Sequence, residues 1–224
     1  MPSQQLPPTY TPKRDSFYLF EGLYTRLVCK LLPTIARTRL TPNQVTLLNI
    51  GNSLLIAFLL LKSLWFPASL LIQLYLILDI LDGNLARYTR LSSKFGQILD
   101  QIADRLFYTG GFLVLGYSTG NSTSWLIAYA FVINAYAILT TFYIVPRLRS
   151  LPSVQRWGLK KAFMQKKILF GMDLSTQDVI ASLLLLTPWK AAILPAITLL
   201  YAADSLYRLW ELKRNESLIA PNHA

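Results

Sequence analysis

From Asn43 onward, long apolar runs alternate with short polar breaks, and several runs reach the ~20 residues that an α-helix needs to cross a bilayer core. They cover about Asn43–Leu64, Phe66–Tyr88, Phe95–Tyr117 and Trp125–Val145, the last without a charge. A fifth run is shorter. The polar cluster Asp173-Leu174-Ser175-Thr176-Gln177-Asp178 leads into apolar residues that stop at Leu186, and Thr187-Pro188-Trp189-Lys190 reads as a turn. A helix with such a polar first half must face a cavity or a partner. The sixth run covers Ala191–Tyr207. Ahead of them, residues 16–40 place Phe17, Leu19, Phe20, Leu23, Leu27 and Leu31 at near-helical spacing, with Arg26 and Lys30 on another side. This pattern predicts an amphipathic helix in the membrane interface. Thr41 as N-cap and Pro42 at the first helical position then start the next helix. Asn43 and Thr46 beside them either cap it or line a headgroup pocket.

The expected architecture is therefore all-α, a polytopic membrane protein of about six transmembrane helices with an N-terminal interfacial helix. Residues 1–15, with Pro2, Pro7, Pro8 and Pro12, read as a disordered tail and not as a cleavable signal. Residues 16–40 form the interfacial segment, 41–212 the transmembrane domain and 213–224 a C-terminal tail. Composition agrees. Hydrophobic residues make up 53% of the chain and charged residues 15%, too apolar a balance for a soluble domain of this length.

The formal charge of +11 is unevenly spread. Lys13, Arg14, Arg26, Lys30, Arg37 and Arg39 precede the first span, and Arg87, Arg90 and Lys94 flank the turn after the second. Seven basic residues and no acid lie between Arg147 and Lys167, and Arg208, Lys213 and Arg214 follow the last span. The intervening loops hold only Lys62 and Lys190. By the positive-inside rule both termini and the turn after the second span are cytoplasmic. Charges that follow loop parity suit anionic lipid headgroups and argue against nucleic acid.

The chemistry-bearing stretch is Asp79–Asp104, which holds four of the eleven acids of the chain inside apolar surroundings. A carboxylate at hydrocarbon depth must be paired, hydrated or bound to a cation. Asp79, Asp82, Gly83, Ala86 and Arg87 share one helical stripe, and Gly96, Asp100 and Asp104 share another. Between the stripes, Leu91-Ser92-Ser93-Lys94 reads as a tight turn with a serine available to cap the second helix. Antiparallel helices joined this way can turn their carboxylates toward each other. Oxygen ligands of this kind suit hard divalent cations, Mg²⁺ first and Mn²⁺ next. Arg87, Arg90, Lys94 and Arg105 also provide salt-bridge partners. Pairing alone does not explain why glycines occupy both stripes, where they weaken a helix but leave room for a ligand.

The run Asp79-x₂-Asp82-Gly83-x₂-Ala86-Arg87-x₈-Gly96-x₃-Asp100-x₃-Asp104 resembles, without a missing position, the signature of the CDP-alcohol phosphotransferase family. The Thr41–Thr46 start of the first span and the interfacial helix before it are similar to that family as well. The resemblance implies transfer of a phosphatidyl or phosphoalcohol group from a CDP-linked donor to a hydroxyl acceptor, with release of CMP, as in phospholipid synthesis. It implies that Asp79, Asp82, Asp100 and Asp104 hold two Mg²⁺ ions and that Asp104 is the general base. It further implies that Gly83, Ala86, Arg87, Ser93 and Gly96 contact the CDP donor, and that relatives form homodimers. CDP-diacylglycerol is the favoured donor, with CDP-choline- or CDP-ethanolamine-type transfer to diacylglycerol as the alternative.

The acceptor side is less defined. Arg147, Arg149 and Arg208 are candidates for a phosphorylated acceptor, as are Lys166 and Lys167, and Asp173 and Asp178 for a neutral polyol or an amine. Sub-families using inositol phosphate or glycerol phosphate carry a Lys/Arg-Ala-Arg-Ala-Glu run after the fourth helix. Here Phe142-Tyr143-Ile144-Val145-Pro146-Arg147-Leu148-Arg149 stands instead. An ion-coupled transporter with an acidic cation path is the competing class. It would show an internal repeat, and no second copy of the Asp79–Asp104 pattern occurs.

Overall fold

Helices form where the apolar runs lie, and local capping sets their limits. In the computed structural model, which describes residues 17–219, a two-residue strand β1 (Phe17–Tyr18) leads into α1 (Leu19–Ile35). The bundle proper begins at Thr41. Its Oγ1 accepts from the Gln44 backbone N–H (3.3 Å), and the Gln44 side chain accepts from the Thr41 N–H (2.9 Å). This reciprocal capping box, with Pro42 in the first turn, starts α2 (Pro42–Leu61). After a short turn comes α3 (Trp65–Thr89), which ends with Arg90 in the left-handed conformation. Ser93 then caps α4 (Lys94–Asp104), its Oγ accepting from Gly96 N–H at 3.0 Å. The helix continues through a π-helical segment, Arg105–Gly111, into α5 (Phe112–Ser118).

A second long helix runs from α6 (Thr123–Ile138) through the π-helical Leu139–Ile144 into α7 (Val145–Ser150). The short α8 (Gly158–Gln165) precedes β2 (Ile168–Leu169), which pairs in parallel with β1, Tyr18 against Leu169. The chain closes with α9 (Leu174–Leu185) and α10 (Ile193–Ile219).

Several sequence expectations are corrected. The third and fourth runs are not regular helices, because each contains a π-helical stretch. In the fourth, Pro146 has no N–H to donate and its ring crowds the carbonyl one turn earlier. In the third, the adjacent Gly110 and Gly111 weaken the α-helical register. Among the described residues, three helical stretches are both long and apolar enough to cross a membrane: Pro42–Leu61, Trp65–Thr89 and Thr123–Ser150. Residues 213–219, expected in a tail, continue α10. There Asn215 Nδ2 donates to Gln155 O (3.1 Å) and Asn215 Oδ1 accepts from Gln155 N–H (2.7 Å). One turn earlier, Arg156 and Lys160 share Glu211 Oε2 at 2.6 and 2.8 Å. Helix α1, expected over residues 16–40, stops at Ile35. The expected tail at 1–15 lies outside the described residues. Among the described residues, the strand pair is a small exception to a helical fold.

Two apolar clusters hold the bundle. Val28, Leu32, Val45, Leu81, Leu85 and Tyr88 join α1, α2 and α3 at one end. A larger cluster around Tyr75, Phe107, Phe112, Tyr129, Ile197 and Tyr201 fills the remainder. Polar groups cross-link the helices where no water competes for them. Asn49 and Asn52 Nδ2 donate to the Tyr75 and Leu71 carbonyls (3.3 and 3.0 Å), tying α2 to α3. Ser69 Oγ donates to Ser182 O (2.8 Å) and Gln73 Nε2 to Asp178 O (3.2 Å), tying α3 to α9. The polar half of α9 is thereby turned inward, with Ser175, Gln177, Asp178 and Ser182 all buried. On α1, by contrast, Leu19, Leu23, Leu27 and Leu31 stay exposed one turn apart.

At Gly116, where α5 meets α6 and α10, an added Cβ would lie 2.6 Å from Leu194 Cδ2 and 2.7 Å from Leu126 Cδ2. Gly116→Val should therefore lower stability by about 1–3 kcal/mol, the usual range for overpacking. The thermal midpoint of detergent-purified protein reads this directly, and an unchanged midpoint would contradict the close packing.

Candidate metal centre

The helical hairpin α3–α4 puts its two acid-bearing stripes face to face. Asp79 from α3 and Asp100 and Asp104 from α4 each offer an oxygen, and these oxygens all lie within 4.8 Å of one another. Three carboxylates so close repel strongly in a poorly solvated setting unless a positive charge joins them. The donor set is oxygen-only, which suits a hard divalent cation. The cluster can hold such a cation.

Asp82 stands beside this trio and not within it. It is buried, and its Oδ2 accepts from Thr46 Oγ1 at 2.7 Å, so α2 fixes its orientation. Asp82 and Asp100 both line a narrow cleft of about 180 Å³, walled by Asn43, Gly83, Ala86, Arg87, Ser93 and Gly96 among others. Every residue that the signature assigns to the donor, together with two of its acids, thus opens onto one space. Small residues make the room. A Cβ on Gly96 would come within 2.7 Å of Asn43 Oδ1, and one on Gly83 would meet the Arg87 guanidinium at 3.5 Å. Arg87 lies along the cleft, with Nη2 donating to Asn84 Oδ1 at 3.2 Å. Ser93 also lines the cleft while its Oγ caps α4.

A second cavity, about 1190 Å³, is lined by Asp104 but not by Asp100. Its wall includes Tyr18, Arg105, Tyr136, Asp173 and Arg208, with Ile98 and Ile102 of α4 and Leu106 of the π-helical segment exposed. Of the acceptor candidates, Arg208 and Asp173 reach this cavity. Arg147 and Arg149 do not line it. Arg147 instead stacks on Tyr143, 4.2 Å from the ring centroid, and lies 3.6 Å from Glu216. Asp178 is fully buried and accepts from Tyr108 Oη at 3.0 Å, outside both cavities. Asp173 caps α9, accepting from Ser175 and Thr176 N–H at 3.2 Å each.

Sequence reasoning passed over Tyr75, whose Oη lies 3.5 Å from Asp104 Oδ1 and whose ring stacks on Phe107. Its position four residues before Asp79 puts it on the same stripe, which was the available signal. Tyr18 and Tyr136 could not be found this way, because only tertiary folding brings them to Arg208, whereas Asp204 lies four residues before Arg208 on α10 and its pairing has a local i,i+4 signature.

The fold and this cluster define a helical integral membrane protein whose acid group can hold a divalent cation between two cavities. The sequence pattern of the CDP-alcohol phosphatidyltransferase family matches residues 39–203, so the chain belongs to that family. It is similar to the archaetidylinositol phosphate synthase of Pyrococcus horikoshii, with 31% identity over 105 residues, 47% of this chain and 55% of that protein. It is similar as well to the bifunctional IPC transferase and DIPP synthase of Thermococcus kodakarensis, at 30% over 171 residues, 69% of this chain and 38% of that protein. The phosphatidylinositol phosphate synthase of Corynebacterium glutamicum shares 35% over 94 residues, 41% of this chain and 39% of that protein. The chain spans between 38% and 55% of the length of these curated relatives.

Asp100→Asn removes one of three converging charges and should abolish divalent-cation stabilisation of the purified protein. A thermal shift on adding the cation that matches wild type would count against the cluster.

Proposed function

We propose that this protein is a phospholipid-synthesis enzyme that moves a phosphatidyl group from CDP-diacylglycerol to a hydroxyl acceptor and releases CMP. One observation carries the reading. Asp100 opens onto the narrow cleft and Asp104 onto the large cavity, with oxygens of these two residues and Asp79 within 4.8 Å. Two ligands held in the two spaces would meet at the acids.

The cleft takes the cytidine diphosphate. Gly83, Ala86 and Gly96 admit its backbone, and Arg87 offers a planar pair of donors to phosphate. Asp79, Asp82, Asp100 and Asp104 would hold two Mg²⁺, which supply charge neutralisation at the diphosphate when bound. The acceptor approaches from the second cavity. Its oxygen forms a bond to the lipid-side phosphorus while the pyrophosphate P–O bond breaks and its electron pair leaves with CMP. The acceptor proton passes to the Asp104 carboxylate and from there to water. The apolar wall at Ile98, Ile102 and Leu106 suits the lipid moiety and favours CDP-diacylglycerol over a CDP-headgroup donor. The relatives' names put inositol phosphates among the first acceptors to try.

Six membrane crossings, formed by α2, α3, α4–α5, α6–α7, α9 and α10, leave both termini and the α3–α4 turn on the cytoplasmic, lysine- and arginine-rich side. The exposed leucines of α1 then lie in the interface.

Purified protein with Mg²⁺, CDP-diacylglycerol and candidate alcohols should release CMP only when an acceptor is present. Asp104→Asn should lower turnover by about 10²–10⁴-fold, the usual contribution of a positioned base, while CDP-donor binding persists; unaltered turnover refutes the assignment. Cysteines introduced at Ser92 and Ser122 should react with an impermeant reagent from opposite faces of sealed vesicles. Labelling of both from one face would overturn the topology.

A further inference from the structure

One of the two cations lining the second cavity, Arg208, is already neutralised. Arg208 Nε donates to Asp204 Oδ2 at 2.6 Å, and the two side chains are only 12% and 9% exposed. Arg208 Nη2 donates to Tyr18 Oη at 2.6 Å, and the guanidinium carbon lies 5.5 Å from the Tyr136 ring centroid. Tyr136 Oη in turn lies 2.8 Å from Asp204 Oδ2. Gly171 has φ of +147°, and a Cβ there would lie 2.8 Å from Asp204 Oδ1 and 3.2 Å from Arg208 Nη2. The chain at Gly171 thus passes close to the Asp204–Arg208 pair on one side, where only a glycine leaves room for it.

The rest of the wall gives no surplus of positive charge. Among the described residues at this wall, Asp173 and Asp204 offset Arg105 and Arg208, while Asp104 belongs to the cation cluster. Arg105 is engaged with the Asn134 side chain. A phosphomonoester would bring close to two negative charges into this balanced space. Gln101 and Thr141 line the cavity as hydroxyl-matching groups, while Asn134 and Thr140 donate to backbone carbonyls of their own helix. Tyr18, accepting from Arg208, keeps its own O–H to donate.

We propose that the acceptor side of this site selects a neutral polyhydroxyl alcohol and discriminates against its phosphorylated form, with Asp204 and Tyr18 as the specificity-determining residues. This rests on the phosphatidyl-transfer reading above and departs from what the relatives' names suggest. The test pairs myo-inositol with myo-inositol 1-phosphate, and glycerol with glycerol 3-phosphate, following CMP release from CDP-diacylglycerol and Mg²⁺. In wild type the neutral member of a pair should have the higher kcat/KM. Asp204→Asn, which leaves the guanidinium uncompensated, should move the ratio toward the phosphorylated member by about tenfold, the scale of one charge-assisted hydrogen bond. A wild-type preference for the phosphorylated member overturns the proposal even if the variant does not fold, and so does an unchanged ratio in a folded variant. Should neither member of either pair be turned over, the transfer reading fails for these acceptors. Thermal shift of the metal-free protein with inorganic phosphate then decides the charge question. Stabilisation of Asp204→Asn beyond wild type upholds the proposal, and equal responses overturn it.

Discussion

Mutual repulsion among Asp79, Asp100 and Asp104 is the constraint around which the molecule is arranged. Carboxylates whose oxygens approach within 4.8 Å in an apolar bundle stay charged only with compensating positive charge beside them. Everything adjacent serves that condition. Thr46 holds Asp82 by a 2.7 Å hydrogen bond, Arg87 lies along the cleft, and glycines stand where a larger side chain would fill it. A helical scaffold can present acids this way because α3 and α4 satisfy their own backbone hydrogen bonds, leaving the side chains available for the centre.

Holding the acids together also requires that neighbouring helices not slide. The amide and hydroxyl contacts of Asn49, Asn52, Ser69 and Gln73 reach backbone carbonyls on partner helices, where the register is read directly. Such contacts are individually modest in membrane proteins, on average about 0.6 kcal/mol. Their placement along α3 matters more than their sum, since α3 is bonded to α2 on one side and α9 on the other. The π-helical segment immediately after Asp104 belongs to the same arrangement, because it changes the direction in which Phe107 and Tyr108 point relative to the acids.

What the sequence revealed follows from the range of the interactions involved. The limits of α2, α3, α6–α7 and α4–α5 were readable to within a few residues, because Thr41, Pro42 and Ser93 act on their own helix ends. The convergence of Asp79, Asp100 and Asp104 was readable because a four-residue turn forces two stripes together. Local signals stopped there. Pro146 announced a disturbance but not a π-helical form, and Asn215 gave no hint that α10 would run to Ile219. The inward face of α9 was expected from its polar half, yet its partners on α3 were not. The Tyr18–Arg208 contact, spanning 190 positions, has no local signature at all.

That long span has a consequence for how the protein comes into being. The narrow cleft is lined by residues between Pro42 and Asp100, so a ribosome has supplied all of them well before it reaches Arg208. The large cavity needs Tyr18, fixed by the pairing of β1 with β2, and Arg208, more than 100 positions beyond the cleft in α10. During synthesis, one half of the site is therefore complete while the other still waits for its final wall.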